Sequence, residues 1–118
     1  MQESGEMYLE TILVLSKKGA PVRSLDVANE LGVSKPSVSR AMGKLKTENY
    51  ILIDPQGYIT LTERGEGIAR KIYEKRVVLK ELILSIGVDE ETAAKDACRI
   101  EHVLSDETFE AIKKYTGQ

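Results

Sequence analysis

Three residues near the C-terminal end of the chain have the types and spacing of a metal-binding cluster. Cys98, Glu101 and His102 stand at positions i, i+3 and i+4, so on a helix they would share one face. A thiolate, a carboxylate and an imidazole form a donor set suited to transition metals rather than to magnesium or calcium. From spacing alone, a buried cysteine beside a surface Glu–His pair is the more frequent explanation. His102 is the only histidine, which excludes a three-histidine zinc site.

The elements that must hold these residues are mostly helices, which apolar spacing and capping residues mark along the chain. Apolar residues recur at helical spacing in six segments. Five of the segments follow a residue that can cap a helix N-terminus, namely Ser24, Ser34, Thr62, Asp89 and Ser105. The predicted helices cover about residues 4–18, 25–31, 35–45, 63–86, 90–103 and 106–115.

The second and third of these helices form a helix-turn-helix pattern. Gly32 ends the second helix, and Ser34 starts the third with Pro36 in its first turn, where the missing N–H of proline does no harm. The β-rich runs Tyr50–Ile53 and Tyr58–Leu61 surround a turn sequence and predict a hairpin. The predicted fold class is mostly α with a small β-hairpin, in which a winged helix-turn-helix domain is followed by a helical dimerisation domain.

The chain of 118 residues also divides by charge. Residues 1–76 carry 12 basic against 10 acidic side chains, whereas residues 77–118 carry 5 against 9. This mild asymmetry supports the division that the pattern predicts: a DNA-binding domain over residues 1–74 and a helical metal-binding and dimerisation domain over residues 75–118. A module this small would gain stability from burying a second apolar face in a homodimer.

Double-stranded DNA is the expected partner of the third helix and its surroundings. Arg40 is the best match for a guanine edge, because its fork fits the O6 and N7 acceptors, although a phosphate contact fits it nearly as well. The other polar candidates around this helix are Arg23, Lys35, Ser37, Ser39 and Lys44. The two lysines and Ser37 suit phosphate contacts, which add affinity without sequence information. Because one short helix reads few bases, we expect a homodimer on a near-palindromic operator.

Nearly the whole chain resembles the diphtheria toxin repressor and manganese transport regulator family of metal-dependent repressors. The segments that carry the resemblance are Glu6–Ile12 (EMYLETI), Leu61–Gly65 (LTERG) and Asp96–Ser105 (DACRIEHVLS). The last segment is the most specific, because Cys-x-x-Glu-His followed by Leu-Ser is rare by chance. The resemblance implies a winged-helix repressor that binds its operator when a divalent metal is bound.

The resemblance also implies a ligand set that begins on the first helix. It assigns the regulatory metal to Met7 together with Cys98, Glu101 and His102. Glu10, one turn further along, matches a carboxylate ligand of the manganese branch and would take or share the role of Met7. Taken alone, Met7 is more often a core residue and Glu10 a solvated one, so both alternatives stay open.

The second metal site of the family is where this sequence departs from the pattern. Arg76, Lys80 and Ala94 align with ligands of that site, and none of the three binds a metal at neutral pH. We hypothesise that the two fixed cations stand where a second metal would and pair with nearby carboxylates. The resulting prediction is one metal per subunit.

The choice of metal follows from the donor atoms. The sulfur atoms of cysteine and methionine favour Fe(II), which is the first choice, over Mn(II), which is the second. Co(II), Ni(II) or Zn(II) would bind at least as tightly in vitro, so availability in the cell would decide which ion is used.

Other functional classes have less support in the sequence. A winged-helix regulator without metal would use Cys98 as a redox sensor. An enzyme is not expected, because the sequence has no paired catalytic carboxylates, phosphate-binding glycine loop or nucleophile elbow. No run of about 18 apolar residues predicts a membrane span, and the N-terminus lacks the apolar stretch of a secretory signal. The single cysteine fits a reducing cytoplasm.

Overall fold

The computed structural model describes residues 3–117, which form six helices and one antiparallel pair of strands. In chain order the elements are α1 (Glu3–Ser16), α2 (Ser24–Leu31), α3 (Lys35–Thr47), β1 (Ile51–Ile53), β2 (Ile59–Leu61), α4 (Glu63–Ser85), α5 (Glu90–Ile100) and α6 (Asp106–Thr116). The predicted fold class, mostly α with a small hairpin, is therefore confirmed. Among the described helices, none combines the length and the apolar character needed to cross a bilayer.

The chain divides into two compact units, Met1–Arg70 and Lys71–Gln118. The division falls within α4, so each unit contains part of that helix. Each unit has its own apolar residues shielded from solvent. In the first unit these are Leu9, Ile12, Leu13, Val22, Val27, Ala28, Val38, Met42, Leu45, Tyr50, Ile51, Ile59 and Ala69. In the second unit they are Ile72, Val78, Leu79, Ala93, Ala97 and Phe109.

Local capping explains where the helices of the first unit begin and end. The Ser34 hydroxyl accepts a hydrogen bond from the Ser37 backbone N–H at 3.3 Å, so the predicted cap of α3 is confirmed. The predicted cap at Ser24 is wrong by one position, because Arg23 occupies the cap and donates its N–H to the Asp26 carboxylate at 2.8 Å. The first helix ends at Ser16, before its predicted end, in tight turns that follow the last regular helical bonds.

The wing is a short hairpin with its turn held by one side chain. Strand β1 pairs with β2 in the register Ile51 to Leu61 and Ile53 to Ile59. The Asp54 carboxylate accepts hydrogen bonds from the backbone N–H groups of Gln56 and Tyr58 at 2.9 and 2.8 Å. This arrangement is the aspartate turn chemistry that the sequence indicates.

In the second unit the caps at Asp89 and Ser105 are confirmed, but α5 is shorter than predicted. It ends at Ile100, whose carbonyl accepts the N–H groups of both Val103 and Leu104 at 3.0 Å in a tightened final turn. The chain leaves the helix here because Ser105 must already cap α6, with its hydroxyl accepting the Thr108 N–H at 3.1 Å.

Gly65 in the first turn of α4 permits a close approach to the segment that joins α3 to β1. A Cβ atom at this position would overlap the backbone carbonyl oxygen of Tyr50. Two hydrogen bonds hold the same junction, from the Thr62 hydroxyl to the Asn49 carbonyl at 2.8 Å and from Arg64 to the Tyr50 hydroxyl at 2.8 Å. The glycine of the Leu-Thr-Glu-Arg-Gly segment is therefore required by packing.

We predict that Gly65→Ala destabilises the protein by about 1–3 kcal/mol, because the added methyl group forces backbone away from backbone. Denaturant unfolding measures the change. Gly67→Ala is the matched control, since a Cβ there meets nothing within 4 Å, and alanine should stabilise the helix by up to about 1 kcal/mol. Equal effects of the two substitutions would contradict the packing role of Gly65.

Candidate metal centre and DNA-binding face

Two of the predicted metal ligands converge on one cationic side chain in the second unit. Arg76 of α4 donates from Nε to Glu101 Oε2 and from Nη2 to Glu101 Oε1, both at 3.2 Å. The same Nη2 lies 3.3 Å from the Cys98 Sγ atom. A thiol and both oxygens of a carboxylate thus surround a single guanidinium group.

His102 joins this cluster through Glu101. Its Nε2 atom lies 3.2 Å from Glu101 Oε1, and the two side chains are 1% and 0% exposed, respectively. The helix ends before the predicted residue 103, so Cys98 lies in α5, whereas Glu101 is its C-cap, with helical backbone angles, and His102 lies in the following turn. The tightened turn nevertheless keeps the imidazole beside the carboxylate. The second unit therefore brings the three predicted ligands into one connected group.

The donor set of this group fits a divalent transition metal. A carboxylate in a site closed to water is costly unless a positive charge or several hydrogen bonds compensate it. In this structure the guanidinium of Arg76 supplies that charge and marks the direction in which the Cys98 and Glu101 acceptor atoms point. Thiolate, carboxylate and imidazole together are typical ligands of Fe(II), Mn(II) and their neighbours.

The two predicted ligands of the first unit lie one turn apart on α1. Glu10 is 1% exposed, so it is not the solvated side chain that one reading of the sequence assumed. Met7 is half-buried, and its carbonyl accepts a hydrogen bond from the Thr11 hydroxyl at 2.8 Å. Of the two side chains, the buried carboxylate is the more unusual and the better ligand for a hard divalent ion.

The two cations that the sequence analysis singled out, Arg76 and Lys80, each pair with a carboxylate of the second unit. Arg76 is paired with Glu101, and Lys80 Nζ lies 3.3 Å from Glu90 Oε1. Ala94, the third departure, is half-buried on α5. Each of the two cations thus lies beside a carboxylate, as the hypothesis of paired cations expected.

Lys75, which the sequence did not single out, holds the segment after α5 in place. This buried lysine donates to the Leu104 carbonyl at 3.1 Å and lies 3.2 Å from the Asp106 carboxylate, which also pairs with Lys71 at 2.7 Å. The hydrogen bond from Lys71, and then that from Lys75, hold the pKa of the Asp106 carboxyl below its ordinary value. Two features of the sequence could have indicated this contact: the i, i+4 spacing of the two lysines, and an aspartate in the first turn of the last predicted helix.

The predicted DNA-binding residues lie around α3 in the first unit. Val38, Met42 and Leu45 are buried, as expected for the inner face of this helix. The candidate contacts Lys35, Ser39, Arg40 and Lys44 are exposed, and Ser37 is half-buried. The Ser37 hydroxyl accepts a hydrogen bond from Ser34 at 2.8 Å, which ties it to the helix cap. The exposed face of α3 is therefore polar and basic.

Arg23 lies outside α3, at the start of the second helix. Its guanidinium carbon is 4.7 Å from the centre of the Tyr58 ring, which belongs to the hairpin. Its side chain is exposed, so the stacked guanidinium keeps donors available to solvent or to a ligand.

Comparison with known proteins gives two family matches that together span most of the chain. The iron-dependent repressor N-terminal DNA-binding domain matches residues 1–58, and the iron-dependent repressor metal-binding and dimerisation domain matches residues 62–118. An uncharacterized HTH-type transcriptional regulator of Methanocaldococcus jannaschii is 36% identical over 115 residues, covering 96% of this chain and 92% of that protein. The transcriptional regulator MntR of Escherichia coli O157:H7 is 34% identical over 109 residues, covering 92% of this chain and 70% of MntR.

Among solved structures, the manganese regulator SloR is similar, with a TM-score of 0.83 and 28% sequence identity. The similarity covers 96% of this chain and 53% of that protein, so the chain spans about half of its length.

We predict that Asp106→Asn lowers the melting temperature at pH 7 and that this difference shrinks in acid. A depressed folded-state pKa means that ionised Asp106 adds stability above the unfolded-state pKa, and that this contribution is lost as the pH falls through the folded-state value. Melting temperatures measured at pH 7 and below about pH 4 test the sign. Glu107→Gln removes the same charge from the same helix turn and serves as control. A difference that stays constant with pH would contradict the prediction.

Proposed function

The chain belongs to the iron-dependent repressor family of metal-dependent transcriptional regulators, and we propose that it represses transcription by binding operator DNA when one divalent metal ion occupies each subunit. The observation that carries the proposal is the convergence of the Cys98 and Glu101 acceptor atoms on one positive group, next to His102. The family match supplies the DNA-binding role, and the polar, basic face of α3 supports it.

The proposed ligands are Cys98, Glu101 and His102 together with Glu10, and Met7 shares the site. The full burial of the Glu10 carboxylate supports it over the Met7 thioether as the main ligand from α1. Bound metal supplies positive charge to these side chains. Ligands about 90 residues apart in the chain would link α1 to the segment after α5, and such linkage typically changes DNA affinity by a coupling of about 1–3 kcal/mol.

Fe(II) is the proposed physiological ion and Mn(II) the second choice. The Cys98 thiolate favours the softer Fe(II). The similar structure SloR is described as a manganese regulator, which supports Mn(II) as the alternative. One ion per subunit is proposed because Arg76, Lys80 and Ala94 stand where the resemblance implies ligands of a second site, and none of the three binds a metal at neutral pH. DNA binding and a lone cysteine fit a cytoplasmic protein.

We propose a homodimer as the DNA-binding form. The C-terminal family model is described as a dimerisation domain, and the second unit exposes several large apolar side chains. These are Leu84, Ile86, Val103 and Tyr115. A groove of about 330 Å³ between the ends of α4 and α6 adjoins Tyr115. Sedimentation as a monomer at concentrations that bind DNA would contradict this proposal.

The metal requirement is tested with DNA selected in vitro for tight binding. We expect a chelator to weaken binding, and Fe(II) under anaerobic conditions or Mn(II) to restore it by about 5- to 150-fold. Glu101→Gln should lose the metal response, because an amide is a poor ligand for these ions. Fluorescence anisotropy measures the affinities. Glu91→Gln, which changes an exposed carboxylate of α5, is the matched control and should respond as the unchanged protein does.

Retention of the full metal response by Glu101→Gln would contradict the proposed site. Equal DNA affinity of the unchanged protein with chelator and with each ion would contradict metal control altogether and would favour a regulator that uses Cys98 in another way.

Arg40 is the proposed base-reading residue. We predict that Arg40→Ala weakens binding to the selected DNA by about 1–3 kcal/mol and relaxes the sequence preference at one position of each half-site. Lys35→Ala is the contrasting variant, because loss of a phosphate contact should weaken binding to all sequences alike. Affinities for a panel of single-base variants separate the two results. A uniform loss for Arg40→Ala would make it a phosphate contact.

A further inference from the structure

We propose that Arg76 is a built-in competitor of the metal ion, which must displace its guanidinium from Cys98 and Glu101 in order to bind. The inference rests on the proposed function, because it concerns the same ligands. It adds a residue that sets how much metal the protein needs.

The geometry places Arg76 on the acceptor atoms that a metal would use. Its Nη2 atom lies 3.2 Å from Glu101 Oε1 and 3.3 Å from the Cys98 Sγ atom, so one nitrogen stands between the two donors. Metal–oxygen and metal–sulfur bonds to such ions are about 2.0–2.3 Å long. A nitrogen at hydrogen-bond distance from both donors therefore takes the space and the lone pairs that an ion would need.

Exposure indicates which partner leaves. The Glu101 side chain is 0% exposed, whereas the Arg76 side chain is 32% exposed. A long, partly solvated arginine can turn its charged end into water by side-chain rotation alone, while its apolar stem stays packed. A divalent metal ion can then take the place of the guanidinium group without any rearrangement of α5.

The neighbouring cation of α4 does not have this position. Lys80 pairs with Glu90, whose side chain is 79% exposed. Because this carboxylate is solvated, it needs no cation to offset a cost of burial. The two residues carry the same charge and stand four positions apart on one helix. Comparing them separates direct competition from a general effect of positive charge on metal binding.

Competition of this kind lowers the affinity of the site for every ion and so raises the concentration at which the protein responds. It also keeps the buried carboxylate neutralised when metal is scarce. Arg76 would thereby stabilise the metal-free protein and set the threshold of the response with one side chain.

The test measures Mn(II) binding directly, without DNA, from the loss of the electron paramagnetic resonance signal of free Mn(II). We expect Arg76→Met to bind Mn(II) about tenfold or more tightly than the unchanged protein, since hydrogen bonds to charged groups no longer have to be broken. Arg76→Lys keeps the charge but loses the fork, so its affinity should lie between the two. Lys80→Met should leave the affinity within about twofold.

A thermal unfolding measurement accompanies each titration, because Arg76→Met removes the guanidinium group that neutralises the buried Glu101 carboxylate. The metal-free variant should melt at a lower temperature than the unchanged protein, and Mn(II) should raise its melting temperature by more. Should Arg76→Met fail to fold without metal, the ordering of Arg76→Lys against the unchanged protein decides the question.

Three results would overturn the inference: unchanged affinity in Arg76→Met, weaker affinity in that variant, or the same gain in Lys80→Met. Weaker affinity would show that Arg76 supports the bound ion rather than competing with it. Failure of the proposed function is a separate outcome, in which the unchanged protein and all variants leave the Mn(II) signal intact.

Discussion

The carboxylate of Glu101 is the group on which the second unit depends. It is fully buried, and an isolated charge in such a place would cost far more than a folded domain of this size can supply. A nearby arginine offsets that cost, and a divalent metal ion at the proposed site would offset it too. The structure shows the arginine in place, with both of its hydrogen bonds to the carboxylate at 3.2 Å. If the metal takes the place of Arg76 at this carboxylate, as proposed, the exchange of partners would couple metal binding to the structure of the second unit.

Both the backbone and the side chains of the second unit hold this carboxylate in position. Helix α5 ends one residue before Glu101, and the following turn brings His102 beside it. Lys75 then binds the carbonyl of Leu104 and the carboxylate of Asp106, so one ammonium group fixes the end of the turn and the start of α6. Cys98 is therefore placed by α5, and Glu101 and His102 by the cap and the short, tightly bonded connection that follow it.

Much of the fold could be predicted from the sequence, because local signals and tertiary structure agree in most elements. Ser34, Thr62, Asp89 and Ser105 cap the helices that they were expected to cap. The prediction failed where two signals compete. Helical spacing through His102 favours a longer α5, but the cap at Ser105 ends it early.

The candidate site was partly predictable, and its limits have a physical cause. Residue types and spacing marked Cys98, Glu101 and His102 as candidates, and the resemblance assigned them to a metal and pointed to Arg76 as a departure. Which acceptors the Arg76 fork would reach depends on how α4 packs against α5, and spacing along one chain segment carries no such information. The burial of Glu10 was equally hidden, because a carboxylate on an amphipathic helix is usually exposed.

The contact between Tyr50 and Thr62 separates the hairpin from α3 in the DNA-binding unit. The Tyr50 carbonyl accepts the Thr62 N–H at 3.1 Å, so the whole hairpin leaves and returns to the same point of the chain. Residues 54–57 at its tip could be lengthened or shortened without moving that closing bond. Over evolutionary time, the length of the hairpin, and with it the stretch of DNA groove that it can contact, can therefore change without a change in the residues that hold α3.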